Sequence, residues 1–93
     1  MSSNKIIITV SGTDKVGIVA KFATILSELN VNIEDIKQTL MQGHFVMFML
    51  CNISNSDKSF KEIKDELQAE GEQLKMEVWV QRKEIFDTMH TVG

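Results

Sequence analysis

Seven consecutive residues, Gly12, Thr13, Asp14, Lys15, Val16, Gly17 and Ile18, carry the best-defined chemistry of this chain. They lie between a β-branched run, Ile6 to Val10, and a helical pattern that starts near Lys15. The entrance of a helix offers backbone N–H groups without intrahelical partners and a partial positive charge, and both attract a carboxylate or phosphate. Gly17, in the first helical turn on this reading, has no Cβ, so a ligand or a neighbouring backbone can come close. Asp14 has two uses. Its carboxylate can accept a charge-assisted hydrogen bond from an α-ammonium group, or it can cap the helix, stabilising it by about 1 kcal/mol. The same seven residues also fit a strand-to-helix turn that binds nothing, since short glycine-containing turns are common.

Other chemistries find little support. His44 and His90 are far apart, and neither has a Cys or His at ligand spacing beside it. A structural zinc site takes about four ligands, so no metal or cofactor is expected; His44 reads as a hairpin-side residue and His90 as part of a frayed tail. The single Cys51 excludes an internal disulfide and fits a reducing cytoplasm. It lies in an apolar strand and reads as a buried, inert thiol. No Ser/His/Asp or Cys/His set stands out, and no catalysis is expected. The net charge is −3 and Arg82 is the only arginine, which argues against nucleic acid, whose binding relies on clustered Lys and Arg. Lys58, Lys61 and Lys64 are interleaved with Glu62, Asp65 and Glu66 and read as a solvated helix face. The start of the chain lacks the apolar stretch and cleavage site of a signal peptide. The longest apolar run, Phe45 to Cys51, is far short of the roughly 20 residues that span a bilayer. The expectation is a cytoplasmic protein of 93 residues, one domain with residues 5–82 as its core and 83–93 as a tail.

The elements that must position the corner follow from periodicity. Ile6 to Val10 are apolar on both faces and predict a central strand. Val19, Phe22, Ala23, Leu26 and Leu29 recur at helical spacing, and Asn30 can take the left-handed conformation that ends a helix. The polar segment from Asn32 to Gln42 predicts an exposed edge strand. Gln42 and Gly43 form a hairpin turn. From His44 to Ile53, Phe45, Met47, Met49 and Cys51 alternate with Val46, Phe48 and Leu50, so both faces of a third strand are apolar. Ser59 with Glu62 can form a capping box, with Ser56 or Asp57 as alternative caps. Phe60, Ile63 and Leu67 line the second helix, which Gly71 is expected to stop. A last strand alternates from Leu74 to Gln81, and Ile85, Phe86 and Met89 mark a short amphipathic tail. The order β-α-β-β-α-β predicts an α+β, ferredoxin-like sandwich: a four-stranded antiparallel sheet with two helices on one face. Two helices cover one sheet face only. The apolar residues on the other predict a homo-oligomer, most simply a dimer, unless the tail folds back over them.

The corner also carries a family resemblance. Gly12-x-Asp14-x-x-Gly17-Ile18, followed by Val19-Ala20, resembles the opening of an ACT domain. Leu29-Asn30-Val31-Asn32-Ile33 is similar to that family's helix-to-strand junction, Asp35-Ile36-x-Gln38-Thr39 to the second strand of its single-domain members, and Ile85-Phe86-x-x-Met89-His90 to their ending. Val16 departs from the pattern, since many ACT domains carry proline there. The chain further resembles the ACT repeats of the glycine-cleavage-system repressor and the N-terminal part of formyltetrahydrofolate hydrolase. The resemblance implies a regulatory module that binds a small molecule, an amino acid above all, between paired domains and passes the signal to an effector protein. It implies a ligand site at residues Gly12 to Ile18, joined by Asn32, which matches a position from which some ACT domains reach the partner's ligand. The Asn32 amide can both donate and accept, which suits a zwitterion; it also fits a turn residue. Acylphosphatases share the β-α order but hold phosphate with a first-loop arginine, absent here. A ligand-free protein-interaction scaffold is the alternative reading.

Overall fold

The computed structural model describes residues 4–13 and 15–89, Met89 by its backbone only. Asp14 and His90 lie outside the described residues. Four strands and three helices follow in the order β1 (Lys5–Thr13), α1 (Ile18–Glu28), β2 (Asn32–Met41), β3 (His44–Asn52), α2 (Phe60–Leu74), β4 (Glu77–Arg82) and α3 (Lys83–Met89). The strands form one antiparallel sheet in the order β2-β3-β1-β4. This is the ferredoxin-like arrangement, with β2 on an edge and β1 in the interior.

Period-2 alternation sorts each strand between two environments. Ile6, Ile8 and Val10 on β1, Phe45, Met47, Met49 and Cys51 on β3, and Val78 and Val80 on β4 are buried against Ile18, Phe22 and Leu26 of α1 and Ile63 and Leu67 of α2. Ile33 and Ile36 pack against this core from β2. The cross-strand register places Ile7, Thr9 and Ser11 with Leu50, Phe48 and Val46, and with Gln81, Trp79 and Glu77, on the opposite, open face. The short α3 returns to that face, where the Phe86 ring meets Phe48 edge-on with centroids 6.2 Å apart. Trp79 and Phe48 nevertheless remain 49% and 40% exposed. The tail therefore covers part of the face and leaves its aromatic centre open.

Local chemistry sets the element ends. The α1 terminus closes on Asn30 at φ 58°, with Val31 N–H donating to Leu26 O and Asn30 N–H to Ser27 O, the Schellman pattern. Gln42 and Gly43 both have positive φ, as a two-residue hairpin turn of the primed type requires. Ser59 and Glu62 form a reciprocal capping box at the start of α2. Two expectations are corrected. First, α2 does not stop at Gly71 but runs on to Leu74, and Lys75 takes the left-handed terminal position at φ 59°. Gly71 serves close packing instead: a Cβ there would stand 2.5 Å from Val78 Cγ2. Second, β4 begins at Glu77 rather than Leu74, because Leu74 still belongs to the longer helix.

Candidate functional site

The corner is built by the end of β1 and the start of α1. The helix starts at Ile18, not near Lys15. Gly17 sits at its N-cap position rather than in its first turn, with φ 86° and ψ 6°, and no side chain among the described residues caps the helix. The physical reason lies in Gly17 itself: a left-handed residue cannot be part of an α-helix, and glycine adopts that conformation without a Cβ penalty. The helix therefore opens with backbone donors that no side chain among the described residues satisfies, and the first intrahelical bond runs from Lys21 N–H to Gly17 O at 2.9 Å.

The surroundings of this entrance are open. A Cβ built on Gly17 meets nothing within 4 Å among the described residues. Val16 is fully exposed, at 105% of its reference area, and Lys15 is exposed as well. Ile18 is buried and anchors the helix to the core. Gly12, by contrast, is crowded: a Cβ there would meet Met76 Sδ at 2.7 Å, so its missing side chain makes room for the Met76 side chain, just before β4, rather than for a ligand. Thr13 is exposed at the strand end.

Asn32 is exposed at the other end of the sheet. It pairs with Asn52, which pairs with Lys5 at the start of β1, whereas the corner follows Thr13 at the end of β1. Eight strand steps separate the two ends, roughly 26 Å at about 3.3 Å per residue. Within one chain the structure brings Gly12, Thr13 and Lys15 to Ile18 together and leaves Asn32 apart.

Two neighbours of the corner were missed in the sequence. His44 lies opposite Thr13, and its Nε2 shares a hydrogen bond of 3.1 Å with Ser11 Oγ. The Ser11–Val46 and Thr13–His44 pairings place both residues on the open face. The signal that finds them is the antiparallel β1–β3 register, which a single-chain reading of spacing does not supply. No group of three or more His, Cys, Asp or Glu side chains arranged to hold a metal occurs among the described residues. Cys51 is buried, and its thiol is pushed up to about 12, chiefly by burial and secondarily by the Glu34 charge. A thiol so held is protonated at neutral pH and a poor nucleophile. Among the described residues no helix is long and apolar enough to cross a membrane.

The edge strand β2, separated from β1 by β3, has its own chemistry. Ile36 N–H is bonded by the Asp35 carboxylate at 2.9 Å. Asp35 and Lys37 share the open-face side of β2, since they pair with Leu50 and Phe48. The register shifts between Ile33 and Asp35, which leaves Glu34 as the extra residue of a bulge. Glu34 turns to Lys5 in an ion pair of 2.7 Å, and the Lys5 hydrogen bond holds the Glu34 carboxyl below its ordinary value.

Residues 4–81 match the family model described as the ACT domain. A UPF0237 protein of Listeria innocua is 50% identical over 84 residues, covering 90% of this chain and 94% of that protein. An ACT domain protein from Streptococcus pneumoniae superposes with a TM-score of 0.79 at 36% identity, over 92% of this chain and 97% of the other. A formyltetrahydrofolate deformylase from Pseudomonas syringae matches at TM-score 0.77 and 19% identity, over 83% of this chain and 26% of its own length; that likeness shows the fold alone.

Proposed function

The chain belongs to the ACT-domain family, and from that premise we propose that it is a regulatory module, without catalysis of its own, that binds an amino acid as a homodimer. One observation carries the reading: among the described residues the α1 entrance has no side-chain cap, a left-handed Gly17 with open space above it, and a fully exposed Val16 beside it. An amino-acid carboxylate supplies the acceptor that such an entrance lacks. Gly12, Thr13, Asp14, Lys15, Val16, Gly17 and Ile18 form the site of one copy. Asn32 joins it only from a second copy, because it lies at the far end of its own sheet.

Edge-to-edge pairing of β2 with β2 provides that second copy. With the two-fold axis at Ile36, Asp35 of each copy faces Lys37 of the other. Two opposite-charge cross-strand pairs then form on one face, each contributing roughly 0.2–1 kcal/mol. The Ile36 N–H, now held by Asp35, becomes free to cross the dyad. Antiparallel pairing also carries each Asn32 to the corner end of the other sheet. Ligand held between two copies favours one arrangement of the pair, and an effector protein reads that arrangement.

A thermal-shift screen of the twenty amino acids, run with light scattering on the same samples, tests this. A true ligand stabilises by mass action, by about 2.7 kcal/mol at a hundredfold excess over Kd, and Asn32→Ala weakens the effect while leaving the unliganded melting temperature unchanged. If no amino acid moves the transition, the ligand reading fails and a ligand-free interaction domain replaces it. A clean monomer at micromolar concentration defeats the shared site.

A further inference from the structure

Edge pairing through β2 leaves the open face of the sheet uncovered, and that face has a built centre. Trp79, Thr9, Phe48 and Lys37 form one row across all four strands, each in register with the next. Thr9 is the small member between two large aromatic side chains. Neighbouring strands lie about 4.8 Å apart, so the backbones of Trp79 and Phe48 stand roughly 9.5 Å apart across Thr9. A flat ring standing over Thr9 meets each aromatic within the roughly 4.5–7 Å centroid range of stacked and edge-on pairs.

A cleft of about 420 Å³ occupies this place, and Thr9, Phe48, Phe86, Trp79 and Gln81 are among the residues that line it. Its volume falls in the range of roughly 300–1,000 Å³ typical of small-molecule sites. The cleft continues past the β4 edge to Gln68 and Lys64 on α2. Among the described residues Lys64 is the only charged one lining it, and it makes no ion pair with any of them. Glu77, the nearest acid on β4, registers with Ser11 one row away toward the corner and does not line the cleft. The polar groups offer both donors and acceptors, from the Thr9 hydroxyl and two amides.

The geometry points to a second binding site, distinct from the α1 entrance, for a flat heteroaromatic molecule bearing a carboxylate or phosphate. The rings enter the slot over Thr9 between Trp79 and Phe48. Their heteroatoms meet Thr9 and Gln81, and the anionic group reaches Lys64. The chain's acidic balance, with a net charge of −3, disfavours a nucleic-acid strand, whereas one lysine is enough for one small anion.

Trp79 is the only tryptophan, so its indole N–H gives a single NMR resonance that reports on the slot. The full chain is titrated with quinoline-2-carboxylate and with quinoline, the same rings without the charge. Both are expected to shift the indole resonance saturably, the carboxylate about tenfold more tightly. Lys64→Gln is expected to remove that tenfold advantage and leave quinoline binding unchanged, and Phe48→Ala to weaken both ligands at least tenfold. The amino-acid thermal shift at the α1 entrance stays intact in both variants, which separates this site from the first; amide NMR spectra of the variants verify their fold. No saturable shift up to millimolar ligand overturns the proposal, and so does a carboxylate preference that survives Lys64→Gln. Tighter, salt-dependent binding of a single-stranded oligonucleotide, or loss of the free indole signal as the protein self-associates, also overturns it in favour of that occupant.

Discussion

Replacing Gly71 with alanine sets two general effects against each other, and the structure decides which wins. In an exposed helix interior the change favours the protein, because alanine is better than glycine by about 0.8–1.0 kcal/mol. Gly71 is buried in α2, where a Cβ would stand 2.5 Å from Val78 Cγ2, 3.1 Å from Met76 O and 3.3 Å from Val78 Cβ. The valine methyl cannot swing away freely, since its β-branched side chain has few allowed rotamers. The carbonyl is backbone and accepts no displacement without moving the turn into β4. Overpacking of this kind costs roughly 1–3 kcal/mol, which exceeds the helix gain. Gly71→Ala is therefore expected to destabilise by about 1 kcal/mol. That corresponds to a fall in Tm of roughly 4–8 °C for a domain of this size, read by thermal unfolding and by urea titration. In a Val78→Ala background the main clash is gone, and the same substitution is expected to cost at least 0.5 kcal/mol less, a coupling within the usual range for contacting residues. Wild-type or higher stability of Gly71→Ala alone would falsify the packing argument and return Gly71 to an ordinary helix position.

Further outcomes are expected at the two helix entrances. Gly17→Ala places a Cβ in open space but holds it at φ 86°, so the cost is conformational alone, about 1 kcal/mol; Gly17→Asn, which tolerates the left-handed region better, is expected to recover part of it. Equal urea midpoints for glycine and alanine defeat the left-handed assignment. At the start of α2, the Glu62 carboxylate accepts the Ser59 N–H at 2.8 Å, and this backbone hydrogen bond holds its pKa below the ordinary 4.5. A carboxyl depressed on folding adds stability above its unfolded pKa and loses it as pH falls through the folded one. The stability gap between wild type and Glu62→Ala is therefore expected to narrow as pH drops from about 6 to about 3. A gap that stays constant over that interval rules the charged capping box out.

What could be read in the sequence is what short-range chemistry determines. Ser59 and Glu62 announced their capping box because the motif is closed within four residues. Asn30 and the Gln42-Gly43 turn announced themselves through residue types that accept positive φ. The two-faced apolar character of Ile6 to Val10 placed β1 inside the sheet, and the polarity of Asn32 to Met41 placed β2 at an edge. Gly71 and Gly17 were misplaced for a common reason. Glycine relaxes both a dihedral restriction and a steric one, and the sequence does not say which is in use. At Gly71 the requirement is steric and comes from Val78, seven residues on, while Lys75 takes the positive φ at the helix end instead. At Gly17 the requirement is dihedral, and it starts the helix at Ile18, three residues after the expected start near Lys15.

The candidate site follows the same division between near and far. Six of the seven corner residues lie among the described residues, and the contiguous loop gathers them without help from the rest of the fold. Asn32 shares no such proximity, and the register sets it roughly 26 Å away along β1. A residue at that remove contributes to the corner only through a symmetry operation, and symmetry leaves no trace in one chain's periodicity. What the chain does show is self-complementary charge on an edge, Asp35 and Lys37 two positions apart on one face of β2. In the dimer proposed above, antiparallel pairing about the intervening Ile36 converts that local spacing into two identical contacts, as an isologous interface requires. A shift of one residue in the pairing would set side chains of opposite faces against each other. In the proposed dimer the charge pair specifies the register as well as the partner, and it is that register that decides whether Asn32 reaches the corner end of the neighbouring sheet.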